Sequence, residues 1–107
     1  MKDSIGNIKL ASLRLQDYTV VVNNDDIQYG LRWNSERCPI ARAFQRAYGE
    51  LMPELEVGGD GIYIYAKDGV AAWSISNEVI SFIEDFDRGE PVAPFKFVAT
   101  FVEATVA

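Results

Sequence analysis

Ile62-Tyr63-Ile64-Tyr65-Ala66-Lys67-Asp68-Gly69-Val70-Ala71-Ala72-Trp73-Ser74-Ile75 is the stretch that decides the fold. It opens on β-branched and aromatic residues, turns at Asp68-Gly69, which accepts the backbone angles of a tight hairpin, and returns as a second strand over Val70 to Ile75. Downstream, Ser76 or Asn77 caps a helix whose Val79, Ile80, Phe82, Ile83 and Phe86 form an apolar stripe. Gly89 lies just past its end and Pro91 beyond that, the usual stop signals. Phe95, Phe97, Ala99 and Phe101 then alternate with Lys96, Val98, Thr100 and Val102, which is the period of a last strand with one aromatic face.

Upstream of the hairpin, Tyr18 to Val22 is a β-rich run that stops at Asn23-Asn24-Asp25-Asp26. Asn24 suits the cap of a short helix through Ile27, Gln28 and Tyr29, and Gly30 its end. Pro39 fits the first position of a longer helix, where its missing N–H had no partner in any case. Ile40, Ala43, Phe44, Ala47, Tyr48 and Leu51 continue that helix at its own spacing. Pro53 and Gly58-Gly59-Asp60-Gly61 close the region and lead back to the hairpin.

The order strand, helix, strand, strand, helix, strand predicts an α+β domain of the ferredoxin-like βαββαβ type, with two helices on one face of an antiparallel sheet. The domain covers residues 17–107, and residues 1–16 form an N-terminal arm or added strand. Ile8, Leu10, Leu13 and Leu15 suit an edge strand or a helical arm equally, and an apolar arm can also join two copies in a homo-oligomer. With 107 residues, 49% hydrophobic and 13 aromatic, the chain can bury a core without disulfides or metal. No apolar run approaches the ~20 residues of a membrane span, so a soluble protein with no membrane partner is expected, and a single cysteine, which cannot form an internal disulfide, fits a reducing cytoplasm.

Chemistry is bounded by an absence: the chain has no histidine. Imidazole acid–base catalysis, Cys–His and Ser–His nucleophile pairs and imidazole zinc sites are excluded with it. Cys38 is the only thiol. Its place at a helix start beside Arg37 and Arg42 favours thiolate, yet no base or resolving cysteine accompanies it, and a small buried side chain that seats the helix is the favoured reading. Gly61-Ile62-Tyr63 lacks the second half of a GIY-YIG nuclease motif, and Gly58-Gly59-Asp60-Gly61 precedes a strand and lacks a P-loop lysine. Asp25, Asp26, Asp60 and Asp68 have no EF-hand spacing. No catalytic, cofactor-binding or metal-ligating residue is assigned, and a non-enzymatic protein is expected.

Charge is distributed unevenly. Residues 1–48 hold seven basic and five acidic side chains, whereas residues 49–107 hold three basic and eleven acidic, for a net charge of −6. Glu84, Asp85, Asp87 and Glu90 crowd the end of the second long helix, where acids oppose the helix dipole at roughly 0.3–1 kcal/mol each. They are a candidate partner surface. The bland alternative pairs Glu84 with Arg88 and turns Arg42 and Arg46 toward acids. Trp33, Arg37, Cys38 and Arg42 form a candidate ligand or anion region. A net-acidic surface without a basic stripe repels phosphates, so direct binding to DNA or RNA is not expected.

Three segments carry a resemblance. Asp26-Ile27-Gln28-Tyr29-Gly30, Cys38-Pro39-Ile40-Ala41-Arg42-Ala43 and Phe86-Asp87-Arg88-Gly89-Glu90-Pro91-Val92-Ala93-Pro94-Phe95-Lys96-Phe97 follow one another as I-x-x-G, CPIA-x-A and FD-x-G-x-x-V-x-P-x-x-F. This layout resembles a group of small bacteriophage and prophage-type proteins, over about residues 18–102. The resemblance implies a phage origin and the cytoplasm of a host cell, and brings no activity or site with it. Two functions fit these readings. One is a protein–protein interaction module that inhibits a host enzyme or defence complex through the acidic patch. The other is a small-ligand or nucleotide binder at Trp33, Arg37 and Arg42.

Overall fold

The computed structural model describes residues 8–49 and 54–107. Along the chain run β1 (Tyr18–Val22), α1 (Asn24–Tyr29), α2 (Pro39–Tyr48), β2 (Leu55–Val57), β3 (Gly61–Ala66), β4 (Gly69–Ser74), α3 (Asn77–Asp87) and β5 (Phe95–Val106). The class is α+β: among the described residues, a five-stranded antiparallel sheet in the order β1-β5-β4-β3-β2 and three α-helices.

The hairpin forms where the sequence places it. Ala66 pairs with Gly69, so Lys67-Asp68 is the two-residue loop and Gly69 already belongs to β4. Ile62 faces Trp73 and Ile64 faces Ala71 across the pair, and all four side chains are buried. Tyr18, Val20 and Val22 of β1 and Phe97 and Ala99 of β5 bury on the same sheet face. Against that face α2 sets Ile40, Ala43, Phe44 and Tyr48, and α3 sets Val79, Phe82 and Phe86. Phe44 meets Tyr18 and Trp73 edge-on, each at 5.4 Å between centroids, a geometry that adds about 0.5–1.5 kcal/mol per pair to the area buried.

The finer ferredoxin-like expectation does not describe this sheet. In a split βαβ unit a helix joins two strands that have another strand between them, whereas α3 joins β4 and β5, which are direct antiparallel neighbours. The reason lies in the length of β5. Its twelve residues serve two partners, Phe95 to Ala99 pairing with β1 and Thr100 to Val106 with β4. Within the β4-paired part the register shifts at Ala72/Trp73, where Val102 is the extra residue, and such an irregularity bends a strand and increases its twist. β1 is thereby an edge strand, and β2 is the other edge. The sequence reading has neither β2 nor this reach of β5: three residues between prolyl and glycyl segments are too few to show alternation.

Three further differences are local. The cap of α1 is Asn23 rather than Asn24, because Asn23 Oδ1 accepts from the Asp26 N–H while the Asp26 carboxylate accepts from the Asn23 N–H, each at 3.0 Å. Helix α2 stops at Gly49, whose left-handed backbone closes it. Leu51 and Pro53, named above as part of that helix and its stop, lie outside the described residues, as do residues 1–7.

Residues 8–16 lie against their own domain. Leu10 to Ser12 make one 3-10 turn with Leu10 buried in the core, and the Leu10 N–H donates to Asp68 Oδ1 at 2.9 Å. Trp73 Nε1 donates to Gln16 O at 2.7 Å, and Tyr18 Oη donates to Arg14 O at 2.6 Å. The Arg14 guanidinium stacks 4.3 Å from the Tyr48 ring centroid. No helix among the described residues is long and apolar enough to cross a membrane.

Candidate interaction cleft

The chain between α1 and α2 is positioned by a buried carboxylate. Asp26 is fully enclosed, and Arg46 from α2 donates to it through Nη1 at 2.9 Å and Nη2 at 2.6 Å. Arg42 Nε stands 3.6 Å away. Burial raises the Asp26 carboxyl, but the Arg46 and Asn23 hydrogen bonds and the charges of Arg46 and Arg42 outweigh it, so its pKa is held below the usual carboxylate value. This latch fixes α1 on α2. It also answers where Arg42 and Arg46 point: toward an acid, but one supplied by the α1 capping box rather than by α3. The Arg42 guanidinium lies 5.9 Å from the Tyr29 ring centroid.

Gly30 follows at once, its N–H donating to Asp26 O at 2.9 Å. A Cβ here would stand 2.6 Å from Asp26 O and 2.7 Å from Pro39 Cδ, so the end of α1 closes onto the Pro39 ring only because glycine has none. The next eight residues form a closed loop. Leu31 N–H donates to Arg37 O at 2.9 Å, Asn34 Oδ1 accepts from the Glu36 and Arg37 N–H groups, and the Cys38 N–H donates to Asn34 O at 3.1 Å. Ser35 O takes the Val57 N–H at 2.7 Å, tying the loop to β2.

Trp33 stands at the tip of this loop with φ of 56°, in the left-handed region, and its N–H donates to Asp87 Oδ1 at 2.8 Å. A bulky residue seldom adopts that conformation. It persists here because the loop is fastened at both flanks and to the end of α3. Arg32 presses its guanidinium against Gly89, at 3.1–3.2 Å from where a Cβ would be, and Gly89 itself has φ of 79°. Two of the three sequence segments singled out above touch directly, Gly30 against Pro39, and the third reaches the loop between them, with Asp87 accepting from Trp33 and Gly89 under Arg32.

Between the loop, the β2–β3 turn and α3 opens a cleft of about 250 Å³. Trp33, Asn34, Cys38, Val57, Ile83 and Asp87 are among its walls. Cys38 caps α2, its Sγ accepting from the Ala41 N–H at 3.5 Å. Burial pushes its thiol pKa up; the Ala41 and Ile40 amides act against this and the Asp87 charge adds to it. Thiol is therefore the form present near neutral pH, in line with a helix-seating role.

The sequence-named residues are thus partly brought together. Trp33 and Cys38 share the cleft with Asp87, which the sequence grouped with the acidic surface instead. Arg37 and Arg42 do not line it. The acids divide over α3: Asp85 lines a second cleft of about 360 Å³ with Glu78, Phe82 and the Pro91–Phe95 strap, while Glu84 and Glu90 are exposed. Glu84 and Arg88 form no ion pair; among the described residues the ion pairs are those of Asp26. No group of three or more potential metal-ligating side chains occurs among the described residues.

Sequence reasoning missed the Asp26 latch and the Asp87 anchor. Asn23-x-x-Asp26 is a capping-box spacing and was open to recognition. The hydrogen bond from Trp33 to Asp87 spans 54 residues and left no local signal. Compared with family models, curated proteins and solved structures, the chain matches none.

Proposed function

We propose that this protein is a phage- or prophage-type accessory protein, a non-enzymatic protein–protein interaction module that docks through the Trp33 loop and the acidic end of α3. Acting in the cytoplasm of a host cell, it inhibits a host enzyme or defence complex by occupying a surface of it. One observation carries the reading: Trp33 is 75% exposed although its backbone is held by Asp87. Exposed tryptophan on a pre-ordered loop is the kind of side chain that anchors an interface, because little conformational freedom remains to be lost on binding. Tyr29 and Leu31 in the same stretch are exposed as well, and Asp87 puts an acid on the wall of the adjoining cleft. The raised Cys38 pKa and the lack of histidine favour a binding role over a reactive one.

The nucleotide alternative requires cations where a phosphate would sit. Asp87 is the only charged side chain among the described residues lining the cleft, and Arg42 is turned to Asp26.

The test is affinity capture from host-cell lysate with the protein and its Trp33→Ala variant, both verified as folded by circular dichroism. A stoichiometric protein retained by the first and lost from the second supports the proposal. A thermal shift with nucleotides and no Trp33-dependent protein would replace it with the alternative. Tight binding of single- or double-stranded oligonucleotides at low salt would refute the exclusion of nucleic acid.

A further inference from the structure

We infer that the Trp33–Asp87 cleft receives a cationic side chain, an arginine or lysine presented by the partner protein. The inference rests on the docking reading above and names the chemistry of its contact.

Charge selects the occupant. Asp87 is the one charged group among the described residues on the cleft wall. Its Oδ1 is committed to the Trp33 N–H, which holds the carboxylate in place, and Oδ2 carries no hydrogen bond from a described residue. The cleft also adjoins the C-terminal end of α3, where helix carbonyls make the potential negative. Arg32 lies close by, but it packs on Gly89 and is not part of the wall. A net charge of −6 favours encounter with a basic partner.

Shape and polarity agree with charge. Val57 and Ile83 offer an apolar wall for the methylene stem of a long side chain. The exposed indole of Trp33 at the rim offers a ring face, the best aromatic surface for a cation and a better one for guanidinium than for ammonium. The volume of about 250 Å³ falls under the roughly 300–1,000 Å³ of pockets that enclose whole small molecules. It suits one side chain, with the rest of the partner resting on Tyr29, Leu31 and the α3 acids.

The experiment is a 15N NMR titration of the full chain with acetyl-Gly-Arg-Gly-amide, its lysine counterpart and its glutamate counterpart. The indole N–H of Trp33 and the amides of Gly58 and Gly59 report on the cleft, and the buried Trp73 indole is the internal control. Saturable shifts confined to the cleft reporters are expected with arginine and lysine, absent with glutamate, and weakened at least fivefold at high salt or in Asp87→Asn. That variant keeps an oxygen for the Trp33 N–H. Absence of shifts with both basic peptides, equal shifts with the glutamate peptide, or unchanged affinity in Asp87→Asn overturns the inference. If the basic peptides fail while Trp33-dependent capture of a protein succeeds, the cation falls and docking stands; if both fail, both fall.

Discussion

Asp26→Asn removes one charge from the site that fixes α1 on α2, and its cost follows from the hydrogen bonds that the carboxylate makes. It accepts three donors: Asn23 N–H, Arg46 Nη1 and Arg46 Nη2. An asparagine NH2 in place of Oδ1 faces Arg46 Nη1, and in place of Oδ2 it faces both Arg46 Nη2 and the Asn23 N–H, so a donor meets a donor whichever way it lies. Hydrogen bonds to charged groups contribute about 1.5–3 kcal/mol each, and breaking a fully buried pair costs about 3–5 kcal/mol. Arg46, at 47% side-chain exposure, recovers part of this from water. The expected loss is therefore about 2–3 kcal/mol, or a fall in Tm of about 8–12 °C for a domain of this size. Urea unfolding followed by circular dichroism at pH 7 measures it. pH supplies a second arm. The folded pKa of Asp26 lies below the unfolded value, so its contribution is fully present above the unfolded pKa of about 3.9 and is lost as pH falls through the folded pKa. The gap between the two proteins must narrow over that window. A loss below about 1 kcal/mol at pH 7, or a gap that does not narrow in acid while both proteins remain folded, would refute the latch.

Gly30→Ala drives a methyl group into Asp26 O and the Pro39 ring; a loss of about 1–3 kcal/mol in thermal or urea unfolding is expected, and a neutral result would show that α1 can shift freely. Leu10→Ala should cost about 2–4 kcal/mol, because Leu10 is part of the common core; unchanged stability would mean that residues 8–16 are a detachable arm. Cys38→Ser should leave stability within about 1 kcal/mol, since serine is itself a good helix cap. The native thiol should also react with an aromatic disulfide reagent more slowly than in the urea-unfolded chain, its pKa being raised by burial. Faster reaction of the native thiol would restore it as a reagent.

Much of the architecture is legible residue by residue. The Asp68-Gly69 hairpin, the Pro39 and Asn77 helix starts, the glycine stop at Gly89 and the alternation of β5 are all written in spacings shorter than one helical turn or one strand pair, and each forms near where its spacing puts it. The strand order is not written that way. That β5 lies between β1 and β4 depends on which edges two distant segments can share, and no local period records it. The site divides along the same line. Trp33 and Cys38 stand out in the sequence as an unusual loop aromatic and a lone thiol, and they do share a cleft. Asp87 reads as one of several acids opposing a helix dipole, and only the approach of the 31–38 loop to the end of α3 turns it into the group that holds Trp33. Arg42 reads as a cation free to meet an anion, yet the capping box of α1 brings Asp26 against it. Local chemistry, carried by residues within a few positions of one another, was determined by the sequence alone. Which charges meet, and which side chain is left facing solvent, was decided by tertiary contacts between segments 20 to 54 residues apart, because electrostatic and packing partners are chosen by distance in space and not by distance along the chain.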